Sequence, residues 1–327
     1  MWLTLITSAL AVPPPPGCDT GPVEPGESTY LDVRHRGVDR RVRVFLPSDY
    51  DCTPRPLLVG LHGYYGSGSG FQDDTSELTP FLEEHGVIGV FPDGLPMGDG
   101  FFERFVTSFN DRASHQDTGP DGLTCVPDSY DYGVYDNCPP READRLCFWG
   151  TSCADDEGFL RTLVGAAQTR LSVDPEKVWL TGFSQGGQTT QSLGSQLADV
   201  FTAIAPSHGF AANGWTRPPE TRQDLFQMWS RSDRIVDGNE LPSSDGMIYD
   251  GADETLLEWA VAQGCDLEPS PYPTVSDGTR GWACTTHADC ATGARLVSCA
   301  WDGGHVWPRS GGDAFGNEAL FAFLLGD

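Results

Sequence analysis

The residues most able to do chemistry are grouped around Ser184. It stands in Gly182-Phe183-Ser184-Gln185-Gly186-Gly187, after the apolar run Val178-Trp179-Leu180-Thr181 and before a helical segment. A serine on a tight strand-to-helix turn presents its hydroxyl at the turn's apex, and flanking glycines let the chain turn without Cβ clashes. In a glycine-rich chain the bare motif is weak evidence; its place between a strand and a helix makes it strong. A serine hydroxyl needs a base to attack a carbonyl. The order Ser, acid, His, each after its own strand, supplies one. Asp233 lies in Ser232-Asp233-Arg234-Ile235-Val236, after the apolar run 225–229, with Asp237 and Asp224 as fallback carboxylates. His305 lies in Gly303-Gly304-His305-Val306-Trp307-Pro308, after the run 296–300. The chemistry expected of such a set is acyl transfer through a covalent serine intermediate.

The tetrahedral intermediate needs two backbone N–H donors, one after the nucleophile and one from an earlier strand-to-helix loop. Gln185 and Tyr64, the latter in Leu61-His62-Gly63-Tyr64-Tyr65-Gly66, are the expected donors. His62 reads as structural, because it precedes the serine in chain order. His35, His85, His115, His208 and His287 have no partnering motif. Tyr64, Tyr65, Trp149, Phe183 and Trp307 are candidates to stack on an aromatic acyl group or a sugar; the alternative for each is ordinary packing.

Positioning these residues takes alternating strands and helices. Strands are expected at 30–33, 42–46, 57–61, 87–91, 178–181, 203–205, 225–229 and 296–300, and helices at 71–84, 156–171, from near Gly186, at 254–262 and at 317–325. Phe159, Leu160, Leu163, Val164 and Ala167 recur at helical spacing. This alternation implies a mostly parallel eight-stranded sheet with helices on both faces. Residues 94–155 break the rhythm, with four cysteines and no sustained period. A segment this long inside a domain is usually functional or stapled, and it reads as a disulfide-pinned flap over the site, inserted after the fourth strand.

The chain has 327 residues and a net charge of −27. Such a surface repels phosphate backbones and anionic lipid, which argues against nucleic acid and membrane partners. Ten cysteines, an even number with no CxxC and no zinc-type Cys/His spacing, imply disulfides and an oxidising compartment rather than a metal. Residues 1–11 end in Ala9-Leu10-Ala11 and read as a signal peptide too short to span a bilayer. Residues 12–27, rich in Pro and Gly, read as a linker, and 28–327 as one catalytic domain.

Six motifs occur in register: Leu61-His62-Gly63, Phe91-Pro92-Asp93-Gly94, Asp155-Asp156-Glu157-Gly158-Phe159-Leu160, and those around Ser184, Asp233 and His305. Together they resemble the poly(3-hydroxybutyrate) depolymerase-like and feruloyl esterase-like group related to carbohydrate esterase family 1, over about residues 29–325. The resemblance implies an α/β-hydrolase fold, secretion and ester hydrolysis without a cofactor, with Ser184, Asp233 and His305 at the triad positions. It also implies local cysteine pairs within 125–153 and within 265–299, leaving Cys18 with Cys52. The chain departs from the group in the opening of the acid loop, Trp229-Ser230-Arg231-Ser232, and in the length and cysteine content of 94–155.

The expected partner is therefore an ester substrate, with no obligate protein partner evident. A feruloyl-type ester on plant cell-wall polysaccharide leads. Poly(3-hydroxybutyrate) or its oligomers and acetyl-xylan follow. A secreted peptidase on the same scaffold and a non-catalytic binding protein are the rival classes, since a fold alone does not separate them.

Overall fold

The computed structural model describes residues 18–140, 145–239, 242–274, 278–309 and 314–326. The signal peptide expected at 1–11 lies outside the described residues, as does the first part of the expected linker. The rest of that linker packs onto the domain: Cys18 is buried and bridged to Cys52, and Val23 is buried in the core.

The centre is a block of parallel strands. Strands β1 (Ser28–His35) and β2 (Val38–Phe45) form an antiparallel hairpin. Then come β3 (Arg55–Leu61), β4 (Ile88–Pro92), β5 (Val173–Phe183), β6 (Ala203–Ser207) and β7 (Asp224–Ser230). Two short strands follow, β8 (Ser270–Tyr272) and β9 (Ala283–His287), and then β10 (Leu296–Trp301). The sheet order is β1-β2-β4-β3-β5-β6-β7-β10-β9-β8, parallel from β4 through β10. All eight expected strands are present. The two additions, β8 and β9, extend the far edge antiparallel. Their short, polar sequences, Ser-Pro-Tyr and Ala-Cys-Thr-Thr-His, carry too little alternation to read as strands.

Alternate residues of the inner strands face opposite cores, as the two-residue period requires. Leu57, Val59 and Leu61 face a core with α2 (Asp156–Arg170) and α4 (Ala252–Gln263). Leu58, Trp179 and Phe226 face a second core with α1 (Thr79–Glu84) and α5 (Phe315–Leu325). Helices thus cover both faces. The helix expected over 71–84 is split into a wide turn at Gly70–Thr75 and α1. Glu77 between them takes φ +52°, which no right-handed helix accommodates.

The segment 94–155 has two small hairpins and is pinned by Cys125–Cys147 and Cys138–Cys153. Its buried Cys125, Cys147 and Trp149 share a third core with Phe210, Met247 and Tyr249. Arg40 and Asp156 tie its two ends together. Arg40 Nη1 donates to Asp156 Oδ1 at 2.7 Å and Nη2 to the carbonyl of Asp93 at 3.3 Å, while the Asn110 N–H donates to Asp156 Oδ2 at 2.7 Å. At the far edge, Cys265–Cys290 and Cys284–Cys299 hold β9 against β10 and α4. The cysteine pairs are those the resemblance implies.

Candidate active site

Ser184, Asp233 and His305 follow the C-terminal ends of β5, β7 and β10. Parallel strands bring those ends to one edge of the sheet. There the Ser184 hydroxyl donates to His305 Nε2 at 2.8 Å, and His305 Nδ1–H donates to Asp233 Oδ2 at 2.7 Å. The other carboxylate oxygen of Asp233 accepts the N–H groups of Ile235 and Val236 at 2.9 and 3.2 Å, which fixes the carboxyl's orientation. Asp233 is 2% exposed, so its charge is held by these donors rather than by water. The fallback carboxylates lie elsewhere: Asp224, at the start of β7, pairs with Arg295, and Asp237 binds Asn239.

The local backbone serves this placement. Ser184 has φ +57° and ψ −123°, a strained conformation of the kind found at nucleophile turns. α3 (Gln185–Thr189) starts immediately after it. A Cβ on Gly186 would stand 2.3 Å from the carbonyl oxygen of Leu61, so only glycine lets the start of α3 approach the end of β3. The unusual acid-loop opening also has a role. Ser230 Oγ accepts the N–H groups of Gly303 and Gly304 at 3.2 and 2.9 Å, joining the end of β7 to the His305 loop.

Tyr64 and Gln185, whose N–H groups are the expected oxyanion donors, line the same space as Ser184. His62 is 1% exposed, and burial pushes its pKa down to about 4. Its neutral ring donates from Nδ1 to the carbonyl of Gly63 at 2.7 Å and accepts the Gly94 N–H at Nε2 at 2.8 Å. The Gly63 carbonyl belongs to the same peptide as the Tyr64 N–H, so His62 sets that amide's direction. His208, with no motif to mark it, is fully buried beside the site and pushed down to about 3 by burial. It accepts from Trp301 Nε1 at 3.1 Å, and its ring packs edge-on against His305.

Two spaces open at Ser184. One is a cavity of about 140 Å³ walled by Tyr64, Tyr132, Trp149, Val236, Met247 and Tyr249. Tyr132 donates to Asp245 Oδ2 at 2.6 Å, which joins the inserted segment to the loop before α4. The other is an open groove of about 740 Å³ that includes His305, Tyr65, Phe105, Thr107 and Phe183. Of the expected stacking residues, Tyr64, Tyr65, Trp149 and Phe183 line one or both spaces. Trp307 does not. It is 2% exposed, bonded through Nε1 to Asn317 on α5, and packed on Phe71, so it belongs to the core. Tyr132, Tyr249 and Asp245 were missed because they lie in loops without periodicity.

No protein-family model matches the chain. Among curated proteins, it is 26% identical over 276 residues to feruloyl esterase B of Piromyces equi, covering 81% of this chain but only 42% of that protein. It is 24% identical over 292 residues to probable feruloyl esterase C of Aspergillus niger, covering 89% of this chain and 83% of that protein. Among solved structures, an acetyl xylan esterase from Aspergillus awamori aligns with a TM-score of 0.56 at 15% identity, over 92% of this chain and 99% of that one. A structure titled sOPH native aligns with a TM-score of 0.56 at 16% identity, over 93% of this chain and 88% of that one. The chain has the α/β-hydrolase fold, and its similarity to feruloyl esterases agrees with the resemblance its motifs carry.

Proposed function

We propose that this α/β-hydrolase, akin to the feruloyl esterases, is a secreted serine esterase whose substrate carries an aromatic acyl group of the feruloyl type. The reading rests on one observation above all: the hydrogen-bonded line Ser184–His305–Asp233 at the ends of adjoining parallel strands. Five disulfides fit secretion, with residues 1–11 as the signal peptide and 28–327 as one catalytic domain. Among the described residues, no helix is long and apolar enough to cross a membrane.

In this mechanism His305 takes the Ser184 proton as the hydroxyl attacks the ester carbonyl, and Asp233 orients the ring and stabilises its cation. The Tyr64 and Gln185 amides receive the oxyanion, each donor contributing about 3 kcal/mol to the transition state. His305 then protonates the leaving alcohol, so the alcohol must face the histidine. Of the two spaces at Ser184, the open groove contains His305 and the small cavity does not. The alcohol, which can be a long polymer, leaves through the groove. The acyl group enters the cavity, whose walls Tyr64, Tyr132, Trp149 and Tyr249 suit a flat ring. Water then releases the acid.

Ser184→Ala should abolish p-nitrophenyl acetate hydrolysis with an unchanged circular dichroism spectrum. Surviving activity would remove the nucleophile from the scheme. A panel of methyl ferulate, acetyl-xylan, hydroxybutyrate oligomers and a peptide amide reads the acyl group directly, and methyl ferulate should be turned over fastest. Turnover of the peptide alone would make the protein a peptidase.

A further inference from the structure

The two amides assigned to the oxyanion come from segments far apart in the chain, and one residue of the inserted segment, Phe109, touches both segments. Gln185 Oε1 accepts the N–H of Phe109 at 3.2 Å, and Gln185 Nε2 donates to the carbonyl of Phe109 at 2.6 Å. The Gln185 side chain thus engages both polar groups of Phe109. Nε2 also donates to Thr189 Oγ1 at 3.1 Å, anchoring the side chain to its own helix. The ring of Phe109 packs on the ring of His62, with centroids 4.8 Å apart, and His62 holds the Gly63 carbonyl. Further bonds run in parallel. The Tyr65 N–H donates to the carbonyl of Thr107 at 3.2 Å, and Thr107 Oγ1 donates to the carbonyl of Gly66 at 2.6 Å.

Gln185, Phe109 and His62 are 6%, 1% and 1% exposed, so these bonds lie out of water, where they are strong and costly to leave unmade. Pairing with both an N–H and a C=O needs a side chain with one donor and one acceptor. An amide has both; a carboxylate of the same shape has only acceptors and would oppose the Phe109 carbonyl.

We propose that the Gln185 side chain is a positioning residue which, through Phe109 and His62, fixes the separation of the two oxyanion donors, and that residues 94–110 are a fixed brace for the site rather than a moving lid. This rests on the oxyanion assignment of Tyr64 and Gln185 made above. Gln185→Glu keeps the shape and the backbone amide but loses the donor. The acylation rate constant per titrated active site, read by stopped flow with p-nitrophenyl acetate, should fall on the order of 10- to 100-fold. The substrate dissociation constant should stay within about twofold, since ground-state binding does not use the oxyanion site. A boronic acid, which forms a tetrahedral adduct on Ser184, should lose affinity in parallel.

A merely structural role would lower the melting temperature or the fraction of titratable sites and leave the rate per site and the boronate affinity unchanged; that result overturns the proposal. Phe109→Leu keeps the backbone pairing and removes the ring from His62. It should shift rate and boronate affinity in the same direction, and it carries the test if Gln185→Glu does not fold. In the unaltered protein the Phe109 amide should exchange hydrogen as slowly as those of β5, and rapid exchange overturns the brace. Ser184→Ala separates the two levels. Activity in it defeats the Ser184 nucleophile assignment, and with it the oxyanion site the brace would serve. Its inactivity beside an unchanged rate in Gln185→Glu defeats the brace alone.

Discussion

Ser184 meets its base because a few small residues allow the chain to come close. Gly63 is one such residue, in direct contact with the serine. A Cβ there would stand 3.1 Å from Ser184 Cβ and 3.3 Å from the carbonyl oxygen of Phe183, tighter than ordinary contact. Gly63→Ala should push the Tyr64 amide away from the serine by a few tenths of an ångström. Preorganised donors act over such small distances, so kcat should fall roughly tenfold or more while the melting temperature changes little. Steady-state kinetics beside thermal unfolding checks this, and undiminished kcat would mean the loop relaxes freely. The glycine frame of Ser184 and the order of the three side chains were legible in the sequence. The use of the Gln185 side chain was not, since Phe109 has no motif and its link to Gln185 exists only in three dimensions.

At the scale of elements, α2 and β2 share the task of closing the insertion. Asp155 caps α2 by accepting the Gly158 N–H, and Asp156 in its first turn accepts from Arg40 of β2. Both side chains of that pair are buried, at 3% and 0% exposure. Breaking a buried pair by removing one partner leaves an uncompensated charge and typically costs 3–5 kcal/mol. Arg40→Met should therefore destabilise the protein by about that amount in urea unfolding. A change below about 1 kcal/mol would show that the pair contributes little to closing the insertion. The helix itself was readable from its periodicity. Its partner Arg40 was not, because a charged residue on an early strand reads as solvated surface until the fold buries it.

The molecule as a whole carries a net charge of −27, yet it keeps two neutral histidines in its interior. Burial holds His62 near 4 and His208 near 3, both below the ordinary value for histidine. The unfolded chain therefore takes up these protons first as the pH falls. The stability they allow is complete above about pH 6.5 and is lost progressively below it, until the folded values are reached. Between pH 6.5 and 5 each should cost roughly 2 kcal/mol. Asp111 and Asp250, raised by burial, act in the opposite sense, since the folded protein takes up their protons before the unfolded chain does. Urea unfolding across this range, with imidazole carbon shifts by NMR, tests the point. Two histidines should stay neutral at pH 5 while stability falls; titration of all seven above pH 5 would refute it.

By itself the sequence determined the alternation of strands and helices, the turn at Ser184 and the order of serine, acid and histidine. These are local patterns, written in side-chain period and glycine placement. Its motifs also carried the resemblance to the feruloyl esterases. Only the tertiary structure decided which aromatic residues face the serine. Trp149 and Trp307 are both buried, yet one walls a cavity at Ser184 and the other fills the core against α5. Only the tertiary structure, too, made the cysteine-rich segment more than a covering: its early residues bond to His62, just after β3, and to Gln185 at the start of α3. Contacts of this kind join positions distant in the chain, and no local period encodes them.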